Sequence, residues 1–172
     1  MNVLETAVEA AKKNNISTVA VASTTGDTAL KLSGLIDKAG LKLIVVTHGE
    51  GRRPAKRKFN EEIRSRLAGR GVVIYTHKLK WLLYKKIKNR IMLKFGLPGW
   101  QRYLKEVNDK YGAGIKVCHI IVKILMEDNV FQDGRIIAVA GKKKGADSAA
   151  IFSASPNNKR PVLEDIIVKG EI

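Results

Sequence analysis

The sequence has one cysteine, Cys118, and no long hydrophobic run. A lone cysteine excludes an internal disulfide, and a membrane helix needs about 18 consecutive apolar residues. The first residues also lack the charge pattern of a signal peptide. The sequence therefore predicts a cytoplasmic protein without a membrane span.

Metal-binding spacings are missing as well. The chain contains neither CxxC nor HExxH, the two spacings that most often mark zinc sites. His119 lies inside an apolar stretch, where a hydrogen-bonded core histidine is commoner than a metal ligand. We expect no metal site.

Acidic residues are absent between Glu62 and Glu106, whereas twelve lysines and arginines fall there. This segment carries most of the formal net charge of +16. Such a block favours a polyanionic partner, and one hypothesis is nucleic-acid binding through residues 52–105. The alternative is a solvated charged surface, including a basic amphipathic helix over residues 77–95.

A chain of 172 residues that is 45% hydrophobic is long enough for one globular domain, 1–172. Short apolar runs alternate with amphipathic segments, which indicates an α/β fold. Ile115 to Met126 is long enough to be a buried helix, and the chain closes with a short strand over residues 166–172.

Residues 17–38 predict a strand, a polar loop and a helix. The loop reads Ser23, Thr24, Thr25, Gly26, Asp27 and Thr28. Hydroxyls at a helix start, together with free backbone N–H groups, are typical of a phosphate site. The alternative is a capping turn, with Thr25 or Asp27 as the N-cap. The carboxylate of Asp27 argues against a phosphate.

Two later strands both end in Thr-His, at Thr47-His48 and at Thr76-His77. Parallel strands bring their carboxyl ends to one edge of a sheet, where ligands bind. These pairs are therefore expected beside the loop at residues 23–28. Ordinary turn chemistry is the alternative for each pair taken alone.

A further buried strand precedes a basic loop bounded by glycines, which predicts a second anion site. The loop consists of Gly141, Lys142, Lys143, Lys144 and Gly145. The same residues suit the tip of a hairpin that leads into an antiparallel strand, and both interpretations can hold together.

The pattern resembles the C-terminal α/β domain of pyruvate kinase, and more closely a family of small stand-alone archaeal proteins with that fold. The matching stretches are VASTTGDTALK, LIVVT, IYTH, GIKVC and RIIAVAGKKKGADSA. The resemblance implies a three-layer α/β/α sandwich whose sheet of about five strands is mostly parallel. Strands one and four would be adjacent, and one edge would be antiparallel.

The resemblance also implies function. The equivalent of residues 23–28 in pyruvate kinase holds a phosphate of the sugar bisphosphate activator, and the stand-alone relatives look like binders of FMN or a similar compound. Asp27 and Thr24 stand where basic residues occur in pyruvate kinase, which argues against a sugar bisphosphate. Ile120 replaces a glutamate that often follows the KVC motif.

The leading hypothesis is a binder of a phosphorylated small molecule, with FMN as a candidate cofactor, and not a pyruvate kinase, because the barrel domain is not present in the sequence. A flavin-dependent enzyme with His48 or His77 as acid or base is an alternative, although no complete catalytic set is visible. The resemblance also suggests a homo-oligomer, because the corresponding domain of pyruvate kinase contributes to subunit contacts.

Overall fold

A computed structural model describes residues 2–47, 58–76, 99–141 and 145–170. These ranges contain four helices and six strands, which alternate as far as β4. In chain order they are α1 (Val3–Lys13), β1 (Thr18–Ala22), α2 (Asp27–Ala39), β2 (Lys42–Thr47), α3 (Glu61–Ala68), β3 (Val73–Thr76), α4 (Gly99–Glu127), β4 (Gly134–Ala140), β5 (Ser148–Ala154) and β6 (Val162–Val168).

The six strands form one mixed sheet in the order β3-β2-β1-β4-β5-β6. The four strands β3, β2, β1 and β4 are mutually parallel, β5 is antiparallel to β4, and β6 is antiparallel to β5. The predicted adjacency of strands one and four and the antiparallel edge are confirmed. The sheet has six strands where the resemblance implied about five.

Side chains alternate across the sheet and give it two buried faces. On β1, Val19 and Val21 join a core with α1, α2 and α3, whereas Ala20 joins a second core with α4. Each face of the parallel strands is therefore covered by helices, as their nearly continuous apolar runs require. The three-layer α/β/α sandwich is confirmed.

Helix α1 begins at Val3, directly after Asn2. The side chain of Asn2 accepts a hydrogen bond from Leu4 N–H, and the side chain of Glu5 accepts one from Asn2 N–H. This reciprocal capping box satisfies two backbone donors of the first turn and so fixes the helix start.

Helix α4 is interrupted at Gly112, whose φ of 87° and ψ of 171° are not helical. A positive φ of this kind is readily adopted by glycine alone. The second part of α4 contains the predicted buried helix at residues 115–126, and Ile115, Cys118 and Val122 are completely buried there. The helix that the length of this stretch predicted is confirmed.

The closing strand lies earlier than predicted. It is β6 at residues 162–168, not 166–172, because it pairs with β5 from Ser153 back to Ala149. The predicted basic helix at 77–95 lies outside the described residues. Within the described ranges, no helix is both long enough and apolar enough to cross a bilayer.

Candidate functional site

The carboxyl ends of β1, β2 and β3 bring three predicted hydroxyl residues together. Thr47 and Thr76 are paired in the β2–β3 ladder, and Ser23 follows Ala22, which pairs with Val46. Ser23 N–H donates to the carbonyl of Val46 at 3.1 Å. By strand alternation the three side chains lie on the sheet face that carries α1, α2 and α3.

The loop after β1 is ordered by its own hydrogen bonds. Ser23 Oγ accepts from Gly26 N–H at 3.2 Å, and Thr25 Oγ1 donates to Asp27 Oδ2 at 2.6 Å. Helix α2 has Gly26 as its N-cap and no side-chain cap. The alternative in which Thr25 or Asp27 caps the helix is therefore wrong, because the Thr25 hydroxyl is engaged by the Asp27 carboxylate.

Gly26 is held against the start of α3. Its φ is 104°, and a Cβ atom there would lie 2.7 Å from Ile63 Cγ2 and 3.1 Å from Phe59 Cζ. Asn60 N–H donates to the carbonyl of Thr25 at 2.9 Å, and the side chain of Asn60 caps α3. The loop is thus fixed between two helix starts and is preformed.

The outer residues of this loop remain accessible. Thr24, Thr25 and Thr28 are half-buried, and Asp27 is exposed, whereas Ser23 is buried. Hydroxyl groups therefore border the uncapped start of α2. The carboxylate of Asp27 lies in the same first helical turn and opposes the approach of an anion.

The second predicted loop, after β4, is the tip of a hairpin. Ala140 pairs with Ser148, and Asp147 N–H donates to the carbonyl of Ala140 at 3.0 Å. Gly141 and Gly145 come so close that a Cβ atom at Gly141 would overlap the Gly145 carbonyl. The hairpin interpretation is confirmed, and the glycines allow the chain to close on itself.

The loops after β1 and β4 leave neighbouring strands in opposite directions. From β1 the chain passes through α2 to β2, which lies on one side of the neighbouring pair β1 and β4. From β4 it turns directly to β5, which lies on the other side of that pair. A crevice between two such loops is where open α/β sheets bind ligands. Lys142, Lys143, Lys144, His48 and His77, which were predicted to contribute here, lie outside the described residues.

Asp147 and Ser148, which no sequence pattern indicated, lie at the same edge. Ser148 Oγ donates to Asp147 Oδ1 at 2.7 Å and accepts from Gly170 N–H at 3.2 Å. The backbone of α4 passes directly beside them at Gly114. Asp147 and Ser148 closely follow the basic loop in the sequence, but nothing in the sequence indicates that a helix from the opposite face of the sheet reaches them.

Cys118 is not available for chemistry. It is completely buried, and its Sγ donates to the carbonyl of Ala138 at 3.4 Å. Burial raises the pKa of its thiol strongly, and the negative charge of Asp147 raises it further. A thiol held protonated is a poor nucleophile and a poor metal ligand. Among the described residues, no group of three or more possible ligands could hold a metal ion.

The start of α2 has features that suit an anionic group such as a phosphate. An uncapped helix start bordered by the Thr24 and Thr28 hydroxyls suits an anion, and the Asp27 carboxylate is the opposing feature. His48 and His77, which were predicted to meet the remainder of the ligand together with Thr47 and Thr76, lie outside the described residues.

The family model for the pyruvate kinase alpha/beta domain matches residues 1–152. The chain belongs to this family. The match includes the strand-end loops and all of the parallel strands. Residues 153–172, which contain β6, lie outside the matched range.

Proposed function

We propose that this pyruvate kinase alpha/beta-domain protein binds a phosphorylated small molecule, with FMN as the leading candidate, at the carboxyl ends of its parallel strands. The phosphate would be held by the backbone N–H groups at the start of α2 and by the hydroxyls of Thr24 and Thr28. Thr47 and Thr76 would contact the rest of the ligand.

The observation that carries the proposal is the helix start without a side-chain cap at the point where the chain direction switches. Helix starts are ordinarily satisfied by a capping side chain or by water, and α1 and α3 use Asn2 and Asn60. Helix α2 differs because Gly26 offers no side chain. An anion would complete its first turn.

Two further features support the proposal. Phe59, Asn60 and Ile63 fix the loop, so little ordering entropy is lost on binding. The sequence places Lys142, Lys143 and Lys144 in the neighbouring hairpin tip, and their charges would oppose that of Asp27.

The first experiment is an absorption spectrum of freshly purified protein, followed by mass spectrometry of any small molecule released on denaturation. FMN and inorganic phosphate are then titrated into ligand-free protein at low salt. One FMN per chain, displaced competitively by phosphate, is expected. Protein that binds neither FMN nor phosphate would contradict the proposal.

Two substitutions localise the site. Thr28→Asp places a carboxylate at the start of α2 and should weaken binding by about tenfold or more, whereas Thr6→Asp, in the first turns of capped α1, is the matched control and should change nothing. Asp27→Asn removes the opposing charge and should tighten binding about two- to fivefold. Equal effects of Thr28→Asp and Thr6→Asp would place the ligand elsewhere.

No observation favours polyanion binding among the described part of residues 52–105. Arg64 forms an ion pair with Glu61 at 3.2 Å, and Arg70 forms one with Asp37 at 3.5 Å and donates to Ser33. Arg64 and Arg70 are thus paired with carboxylates of the same chain. The flavin-enzyme hypothesis depends on His48 and His77 and stays a prediction.

A further inference from the structure

A cleft of about 670 Å³ opens on the α4 face of the sheet. It lies between the first part of α4 and the segment at residues 158–163, which leads into β6. Its size is within the range of small-molecule sites, about 300–1,000 Å³. The cleft is distinct from the strand-end site, whose hydroxyls lie on the opposite face. The wall formed by residues 158–163 lies outside the range matched to the pyruvate kinase alpha/beta domain, 1–152.

His119 contributes to the cleft from its floor. The side chain is completely buried, and its Nδ1 lies 3.0 Å from the carbonyl oxygen of Ile115. Because a carbonyl only accepts, Nδ1 carries the hydrogen, and Nε2 of the neutral ring presents a lone pair. Burial lowers the pKa of His119, so the neutral ring is the form present at neutral pH.

That lone pair has no hydrogen-bond partner in the described ranges of the chain. Buried polar side-chain atoms are nearly always satisfied, and an exception calls for an explanation such as a missing ligand. The His119 ring is also held edge-on by Phe152 at 4.7 Å and by Tyr103 at 5.5 Å between ring centroids. Its acceptor therefore has a fixed direction.

The cleft is aromatic and positively charged. Tyr103 and Tyr111 offer ring surfaces, and Lys110, Lys159 and Arg160 offer cations. The Arg160 guanidinium lies 5.3 Å from the centroid of the Tyr103 ring.

Glu106 is the one acidic residue among the described residues that line the cleft, and Arg102 pairs with it at 3.5 Å. The remaining charge is positive and attracts an anion.

We propose that this cleft binds a small aromatic anion that carries a hydroxyl or amino donor. The anionic group contacts Arg160 and Lys159, the ring contacts the tyrosines, and the donor bonds to His119 Nε2. Nε2 is itself shielded from solvent, so its bond to the donor requires a small shift of the side chains around it. Hydroxylated aromatic acids and nucleotides share this chemistry.

The test uses two pairs of probes that differ in the donor alone. The first pair is 4-hydroxybenzoate and benzoate, and the second is AMP and purine riboside 5′-monophosphate. Titration calorimetry at low salt should show that the donor-bearing member of at least one pair binds about tenfold more tightly than its partner, the value of one net hydrogen bond. The pair that responds identifies the source of the ligand.

Variants then assign the contacts. His119→Phe keeps an aromatic ring and should abolish the tenfold difference within the responding pair. Arg160→Gln should weaken both members of that pair, whereas Arg66→Gln, an exposed arginine on α3 at the opposite face, is the matched control and should weaken neither. Nitrogen-15 spectra of the histidine rings of the wild type report whether His119 Nε2 accepts a hydrogen bond, and circular dichroism reports whether His119→Phe is folded.

Three results would overturn the proposal. They are failure of all four probes to bind, equal affinity within both pairs, and an unchanged difference within the responding pair in folded His119→Phe.

Discussion

Gly114 of α4 lies against Ser148 of β5, so closely that no side chain fits between them. A Cβ atom at Gly114 would lie 2.6 Å from both Ser148 Cβ and Asp147 Oδ1, and closer still to Ser148 Oγ. The helix backbone therefore touches the sheet at the edge where the parallel strands end. This contact sets how closely the second part of α4 packs on the sheet.

Gly114→Ala should destabilise the protein by about 1–3 kcal/mol, because an added methyl group forces the helix away from the sheet. Gly34→Ala is the matched control. Gly34 also lies within a helix, but nothing is within 4 Å of the position of its Cβ atom. That variant should gain about 0.5–1 kcal/mol from helix propensity.

Urea unfolding followed by circular dichroism measures both free energies of unfolding. Opposite signs are expected for these two chemically identical substitutions. If Gly114→Ala were as stable as Gly34→Ala, the close approach of α4 to β5 would be refuted.

Replacement of His119 should change how stability depends on pH. Its pKa is lowered in the folded protein from the ordinary 6.5, chiefly by burial. The unfolded chain therefore binds a proton first as the pH falls, and the folded state loses stability below about pH 6.5. The slope from one group cannot exceed about 1.4 kcal/mol per pH unit.

The difference in unfolding free energy between wild type and His119→Phe, measured from pH 7.5 to pH 5, isolates this effect, because the other titrating groups are common to both. As the pH falls, the free energy of unfolding should decrease more for the wild type than for His119→Phe. A difference that does not vary with pH would show that His119 titrates normally.

Tyr75 of β3 donates a hydrogen bond to Asp128, which follows the end of α4. Burial, this bond and the Asp128 charge raise the pKa of Tyr75 to about 12. Since the pKa is raised in the folded state, the stabilisation is present below about pH 10 and is lost as the pH rises through 12. Tyr75→Phe should remove that alkaline loss.

Ultraviolet absorbance of tyrosinate, followed as the pH is raised, measures the pKa of Tyr75 directly. The difference between wild type and Tyr75→Phe should show one tyrosine with a midpoint near 12. Asp128→Asn, which keeps the acceptor and removes the charge, should bring that midpoint closer to 10. A wild-type difference curve centred at 10 would contradict the Tyr75–Asp128 contact.

Much of the fold could be predicted because buried parallel strands need continuous apolar sequence. Val19 to Ala22 and the run at residues 136–140 carried that signal, and the length of residues 115–126 indicated a helix. The adjacency of β1 and β4 came from the family resemblance instead. Apolar runs mark which segments are strands, but they do not state the order of strands in the sheet.

The candidate site was predicted only where it follows directly from strand ends. Ser23, Thr47 and Thr76 are neighbours because parallel strands finish at one edge. The lack of a side-chain cap on α2 depends on Phe59 and Ile63 holding Gly26, and the open acceptor of His119 depends on packing by Tyr103 and Phe152. Such contacts between distant parts of the chain leave no local pattern.

The β6 strand has consequences for how these molecules behave at high concentration. Its register against β5 is irregular, and Asp165 Oδ1 accepts from Ile166 N–H at 2.8 Å. Glu164 is tied to Arg135 by an ion pair at 2.8 Å. Carboxylates and irregular pairing on an outer strand deny a second molecule a straight template for strand addition. This margin of the sheet is thereby protected against intermolecular β-aggregation.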